Sequence, residues 1–225
     1  MLHYLDLLAE YKRYIENEPR DLIYKIVTRI VFQYWGEPSE VAEGITILLS
    51  TWNFAFYRGT LPDVDQLEKA IRERYLELKE FRVRNIESLT TDDNEPIEEI
   101  FNEFKIALRR GGKRPAEAPV SATKALHLIA PNFFPLWDNS IAEHYGCGEM
   151  GSEDYVHFMY KMREVAEGVI ESYIKEHGGD KMQALKGIWE LYPVKIPEKE
   201  GKLLKWIDEY NWVKYFLPKK LRRFI

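Results

Sequence analysis

Apolar residues recur every three or four positions along most of the chain, which is the spacing of one face of an α-helix. The first helix is predicted over residues 2–15 and the second from Pro19 to Gly36. A third is predicted from an N-cap at Ser39 to about residue 57. Its apolar arc is wide, which favours a deeply buried position.

The same spacing continues to the C-terminus. Asp63 opens a fourth predicted helix that continues through Leu78, and a polar stretch over residues 90–95 is predicted as a loop. Pro96 opens the next helix, which is predicted to end before the glycine pair at 111–112. The remaining helices are predicted over residues 121–130, from 138 or 139 to 146, and over 152–177, 180–191 and 200–216.

Strands are not expected, because the alternating pattern of a half-buried strand is missing apart from residues 192–196, which contain a proline. The sequence therefore predicts an all-α fold of about ten helices, with residues 1–225 forming one domain. The predicted loop over residues 90–95 can separate two helical lobes with a cleft between them.

The amino-acid composition excludes several classes of protein and of metal site. A single cysteine, Cys147, excludes an intrachain disulfide and a cysteine-ligated iron–sulfur cluster, and it favours a reducing, cytoplasmic location. No apolar run is long enough to span a membrane, and the first residues do not have the pattern of a signal peptide. The 27 Glu and 18 Lys against three Gln resemble the composition of thermophile proteins.

The net charge of −5 conceals strong segregation. Residues 86–104 contain seven acids and no Lys or Arg, whereas residues 105–125 contain six bases and one acid, and the last thirteen residues contain five bases and no acid. Basic side chains beside two glycines favour contact with phosphates; the alternative is the C-terminal turn of a helix, where both are common. The candidate backbone-binding residues are Arg109, Arg110, Lys113 and Arg114.

Residues 121–142, SATKALHLIAPNFFPLWDNSIA, contain a short predicted helix with Lys124, a proline turn, and Asp138 at the start of another helix. This segment resembles the signature region of the helix-hairpin-helix superfamily of base-excision DNA glycosylases. There, a G-x-G-x-K hairpin is followed by an apolar helix, a proline turn and an Asp. The chain departs from that pattern at the hairpin glycines, whose place is taken by APVSAT. The helix around residues 203–208 is also similar to the closing helix of archaeal 8-oxoguanine glycosylases.

The resemblance implies an all-α, two-lobed fold that acts on DNA at a site between its lobes. No cofactor is expected for this chain. It implies that Lys124 is the nucleophile that forms a Schiff base and that Asp138 is the essential carboxylate. An amine attacks only when it is neutral, so Lys124 needs a lowered pKa. A carboxylate facing the sugar can stabilise the positive charge that develops there.

Base excision also needs a pocket in which aromatic faces stack on the extruded base. Trp52 and Asn53 on the third helix and Trp137 beside Asp138 are the candidates. Each has a structural alternative. Trp52 belongs to a stripe typical of a core, Asn53 can belong to a buried polar network, and Asp138 is an expected N-cap. Lys124 can be an ordinary solvated lysine.

The sequence therefore predicts a DNA-repair-like N-glycosylase with lyase activity. Two alternatives stay open: a non-catalytic helical protein that binds nucleic acid through its basic segments, and a helical protein-interaction module without a DNA role.

Overall fold

The fold is given by a computed structural model that describes residues 2–58, 60–112, 115–192 and 202–222. The architecture is all-α, as predicted. Two 3₁₀ turns cover Ile86–Ser88 and Thr91–Asp93, and a π-helical turn covers Trp212–Phe216. The α-helices are α1 (Tyr4–Asn17), α2 (Asp21–Gln33), α3 (Pro38–Trp52), α4 (Val64–Glu73), α5 (Tyr75–Arg82), α6 (Asn94–Ala107), α7 (Pro119–Ile129), α8 (Asn139–His144), α9 (Ser152–His177), α10 (Lys181–Leu191), α11 (Lys202–Asn211) and α12 (Leu217–Arg222).

No strand forms within the described ranges; an isolated antiparallel bridge joins Arg110 to Ala116. Most of the candidate strand over residues 192–196 lies outside the described residues, and so does the predicted start of the last helix at residue 200. Across those same ranges, no helix is both long and apolar enough to cross a membrane.

Helix boundaries follow local capping chemistry where the sequence signals it. Asp63 caps α4 by accepting a hydrogen bond from the Gln66 amide at 3.1 Å, and Asp180 caps α10 through a reciprocal capping box with Gln183. Helix α9 spans the predicted residues 152–177 and ends at Gly178, whose φ of 71° suits glycine. These three predictions are confirmed.

The prediction for α3 was wrong at both ends. The N-cap is Glu37, not Ser39, because Pro38 takes the first helical position, where a missing N–H costs nothing. The helix ends at Trp52 instead of about residue 57, because Asn53 is its C-cap. The chain then turns, and the backbone N–H of Tyr57 donates a hydrogen bond to the Asn53 carbonyl oxygen at 3.1 Å.

Two further boundary predictions were wrong. The helix predicted from Asp63 through Leu78 breaks at Arg74, whose guanidinium donates to Glu103 at 2.6 Å and so ties the junction of α4 and α5 to α6. Residues 90–95 are not an open loop. Thr91–Asp93 is a 3₁₀ turn that continues directly into α6, which therefore begins before the predicted Pro96.

Helix α7 crosses the interior. Eight of its eleven residues are buried, and Lys124 is half-buried where the helix meets solvent. Helices α2, α3 and α6 pack around it, and the turn that follows α7 contributes the fully buried Phe133 and Phe134. Lys124 therefore places a charge at the edge of a cavity on an otherwise apolar helix.

Candidate functional site

A cleft of about 650 Å³ opens between the C-terminal end of α3, the start of α7, the segment leading into α8, and α11 with the π-helical turn after it. The predicted catalytic and base-contacting residues all line this cleft: Lys124, Asp138, Trp52, Asn53 and Trp137. The structure therefore brings together side chains that are up to 86 positions apart in the sequence, from 52 to 138.

Lys124 extends from α7 toward the end of α3. Its Nζ donates a hydrogen bond to Asn53 Oδ1 and lies 5.5 Å from the centroid of the Trp52 ring. Burial lowers the pKa of Lys124 to about 8, although Asp138 and Asp208 partly oppose that shift. At this pKa about one tenth of the amine is neutral at pH 7. The alternative of an ordinary solvated lysine does not describe this environment.

Asn53 is oriented by a buried polar network. Its Nδ2 donates to Ser121 Oγ at 2.7 Å, so that its Oδ1 faces Lys124. The Tyr57 hydroxyl lies 3.0 Å from the same Ser121 oxygen and 2.7 Å from the Leu108 carbonyl oxygen. The two sequence interpretations of Asn53 therefore coexist: it belongs to a network, and that network points its carbonyl oxygen at the lysine.

The two tryptophans differ. Trp52 is half-buried; its ring stacks on Tyr24 with centroids 5.7 Å apart, and its Nε1 donates to the Arg20 carbonyl at 3.2 Å. Trp137 borders the cleft but is only 1% exposed, and it packs against the Tyr155 ring with centroids 5.1 Å apart. Trp52, for which the sequence also allowed a core position, is therefore the ring with surface to offer a ligand, whereas Trp137 belongs to the core.

Asp138 is both the N-cap of α8 and part of the cleft wall. One carboxylate oxygen accepts a hydrogen bond from the Ile141 amide at 2.9 Å. Burial raises the pKa of Asp138, while the Ile141 and Ser140 amides and the Lys124 ammonium act in the opposite direction. The capping role predicted as an alternative is confirmed, and it leaves the carboxylate in the same cleft as Lys124.

A cluster of buried charges beneath the cleft was missed by the sequence prediction. Lys205 on α11 has no exposed surface, and its Nζ lies 3.0 Å from Glu209 Oε1, 3.4 Å from Asp21 Oδ1 and 3.6 Å from Asp208 Oδ2. The Tyr14 hydroxyl accepts a hydrogen bond from the same Nζ at 3.1 Å. The three carboxylates outweigh desolvation and raise the pKa of Lys205 well above its ordinary value.

Asp208 connects this cluster to the cleft. It lines the cleft wall, and burial raises its pKa to about 6 although Lys205 acts against that shift. The sequence carried a signal: α11 places a lysine and two acids at i, i+3 and i+4, each beside an apolar residue. Such spacing also occurs on exposed helix faces, so it does not by itself predict burial.

The basic segment lies next to the cleft. The Arg110 guanidinium lies 5.2 Å from the centroid of Phe56, a cleft residue, and donates to the Phe56 carbonyl at 3.3 Å. Arg109 is exposed, and α6 has already ended before it. Lys113 and Arg114 lie outside the described residues.

The charge inside the cleft differs from the charge beside it. Among the described residues, five acids and two bases line the wall, a formal excess of three negative charges; they are Glu18, Glu117, Asp138, Glu149 and Asp208 against Arg20 and Lys124. Glu18 and Arg20 are paired with each other. This interior suits a neutral group, or one that becomes positive during a reaction, and disfavours phosphate.

Comparison of the chain with family models, curated proteins and solved structures finds no match.

Proposed function

We propose that this protein is a DNA N-glycosylase with lyase activity that removes a damaged base bound in the cleft. One observation carries the proposal: an amine whose pKa is lowered to about 8 and a carboxylate share one cleft, beside a half-buried tryptophan ring. Perturbed titratable groups that converge in a cavity are typical of active sites.

The two charged residues divide the reaction. The neutral Nζ of Lys124 attacks C1′ of the damaged nucleotide, and the C1′–N bond breaks with its electron pair passing to the base. Asp138 stabilises the positive charge on the sugar and accepts the proton that the attacking amine loses. The C1′–O4′ bond then breaks, O4′ takes the proton back from Asp138, and a Schiff base forms between Nζ and C1′. Transfer of a C2′ proton to water breaks the C3′–O bond and expels the 3′ phosphate.

The cleft suits an extruded nucleotide better than a duplex. A volume of about 650 Å³ lies within the range of small-ligand sites. Trp52 offers a face on which a base can stack, and the acidic wall favours the base and sugar over phosphate. The phosphates then remain outside, where Arg109 and Arg110 lie beside the cleft.

Borohydride trapping tests the proposal, because hydride reduces a Schiff base to a stable covalent adduct. We expect the wild-type protein to be trapped on duplexes that contain an abasic site or a damaged base, and Lys124→Gln to lose the adduct. Lys186→Gln on α10 is the matched control, because this lysine is exposed and lies outside the cleft. It should be trapped like the wild type.

The outcomes separate the alternatives. Absence of an adduct on every duplex contradicts the lysine mechanism. If the protein then also releases no base and is still retained on DNA in a salt-sensitive way that survives Asp138→Asn, it is a non-catalytic nucleic-acid-binding protein. Absence of retention even at low salt favours the protein-interaction module.

A further inference from the structure

We infer that Asp208 is the acid of this cleft and donates the proton that the departing base needs. The inference rests on the proposed function, because it assigns one step of the same reaction. It is carried by the placement of the Asp208 carboxyl group in the cleft wall, where the Lys205 cluster supports it from below, whereas Asp138 is held by backbone amides at the start of α8.

The surroundings of Asp208 keep its proton available. The residue lies within α11, and only 8% of it is exposed, at the cleft wall. Its nearest cation is Lys205, but that Nζ lies 3.6 Å from Asp208 and only 3.0 Å from Glu209. Of the three carboxyl groups around that lysine, Asp208 is the one that lines the cleft.

Asp138 is compensated in a different way. It accepts hydrogen bonds from backbone amides at the start of α8, and the Lys124 ammonium favours its ionised form. Two carboxyl groups in one cavity with unequal stabilisation of the charged form are the arrangement that separates an acid from a base. Asp138 is the group suited to accept a proton, and Asp208 the group suited to give one.

In the proposed step, Asp208 supplies the proton that the departing base takes up. As the C1′–N bond breaks, its electron pair passes to the base, and a ring nitrogen of the base takes the proton from the Asp208 carboxyl group. Asp208 is left as a carboxylate 3.6 Å from the Lys205 ammonium, which stabilises it. Lys205 itself cannot be the donor or the nucleophile, because no part of it is exposed.

The pH dependence of base release is the signature of this arrangement. Release needs protonated Asp208, with a pKa of about 6, and neutral Lys124, with a pKa of about 8, so the profile should be bell-shaped. From pH 7 to pH 9 the protonated fraction of Asp208 falls about 100-fold while neutral Lys124 rises about 10-fold, so release should slow about 10-fold. The charged and titratable groups around Asp208 are Lys205 on its own helix, Tyr14 on α1, Lys124 on α7 and Asp138 at α8.

The test compares two reactions of one protein. Base release is measured by chromatography on duplexes containing uracil, hypoxanthine or 8-oxoguanine, and borohydride trapping is measured on a duplex with an abasic site. Asp208→Asn keeps the shape of the side chain but has no proton of this acidity to give. We expect it to slow base release at pH 7 by about 100-fold or more while trapping on the abasic duplex continues. Asp65→Asn, at an exposed position of α4, is the control.

The possible results distinguish the role of Asp208 from the proposed function itself. Wild-type release that slows above pH 7, together with an Asp208→Asn variant whose residual release rises with pH, supports the inference. Release by Asp208→Asn at the wild-type rate overturns it and leaves the proposed function intact. Trapping on the abasic duplex without release of any base also overturns it, while the lysine chemistry stands. Absence of trapping by the wild type overturns both.

Folding of the variant is checked separately by thermal unfolding. If Asp208→Asn does not fold, the wild-type profile decides alone. Base release that keeps rising between pH 7 and pH 9, as trapping on the abasic duplex should, overturns the inference; the predicted decline supports it.

Discussion

Replacing Asp208 by Asn should stabilise the protein at pH 8. Burial raises the pKa of Asp208 from an ordinary 3.8 to about 6 in the folded state. A group with a raised pKa contributes its full stability below about pH 4, and that contribution is lost as the pH rises through 6. The shift is about two pKa units, and each unit corresponds to about 1.4 kcal/mol, so ionised Asp208 costs about 3 kcal/mol at pH 8. Asn carries no charge and avoids this cost.

Thermal unfolding of wild type and Asp208→Asn between pH 4 and pH 8 measures the effect. In a chain of this size about 3 kcal/mol corresponds to a rise in Tm of roughly 6–12 °C at pH 8, and the difference should vanish near pH 4. Asp65→Asn, at an exposed position, should change Tm little and equally at both pH values. An Asp208→Asn difference that is absent at pH 8, or the same at pH 4, refutes the reasoning about burial.

Two other substitutions test the environments of the two lysines. Lys205→Met removes the cation shared by Asp21, Asp208 and Glu209, so we expect the free energy of unfolding at pH 7 to fall by about 3–5 kcal/mol in chemical denaturation. A loss below about 1 kcal/mol contradicts the claim that this ammonium compensates the cluster. Asn53→Asp places a carboxylate against Lys124 Nζ and should return its pKa from about 8 to at least its ordinary 10.5. Borohydride trapping at pH 7 should then slow about 300-fold, whereas unchanged trapping shows that the neutral amine is not limiting.

The sequence predicted the helical class and most helices because their signals are local. Helix α9 was predicted over its full length, since its apolar spacing is regular and Gly178 follows it. The end of α3 was predicted too late, because Phe54, Phe56 and Tyr57 continue the apolar pattern past Asn53. In the structure these residues form a turn, which is fixed by contacts with segments far along the chain.

The candidate site was predictable only in part, for the same reason. The shared location of Lys124 and Asp138 followed from the family resemblance, and they do line one cleft. The hydrogen bond between Lys124 and Asn53 joins positions 71 residues apart, and no local pattern specifies it. Lys205 is buried because residues of α1 and α2 cover α11. The spacing of Lys205 and the acids along α11 is equally typical of an exposed helix face with ion pairs, so it does not predict this burial.

The two lysines show why burial alone does not determine the chemistry of this cleft. Each Nζ lies 5.5 Å from the centroid of the same Trp52 ring; Lys205 is fully buried and Lys124 half-buried. Desolvation therefore acts to lower the pKa of both amines. Lys205 nevertheless stays charged, because carboxylates of Asp21 and Glu209 lie within 3.4 Å of it. Lys124 instead has the uncharged amide of Asn53 as its hydrogen-bond partner, and its pKa falls. The hydrogen-bond partner therefore decides which amine can become a nucleophile. Lys205 stays an ammonium and stabilises the acids beneath the Trp52 ring, whereas Lys124 can lose its proton in the cleft.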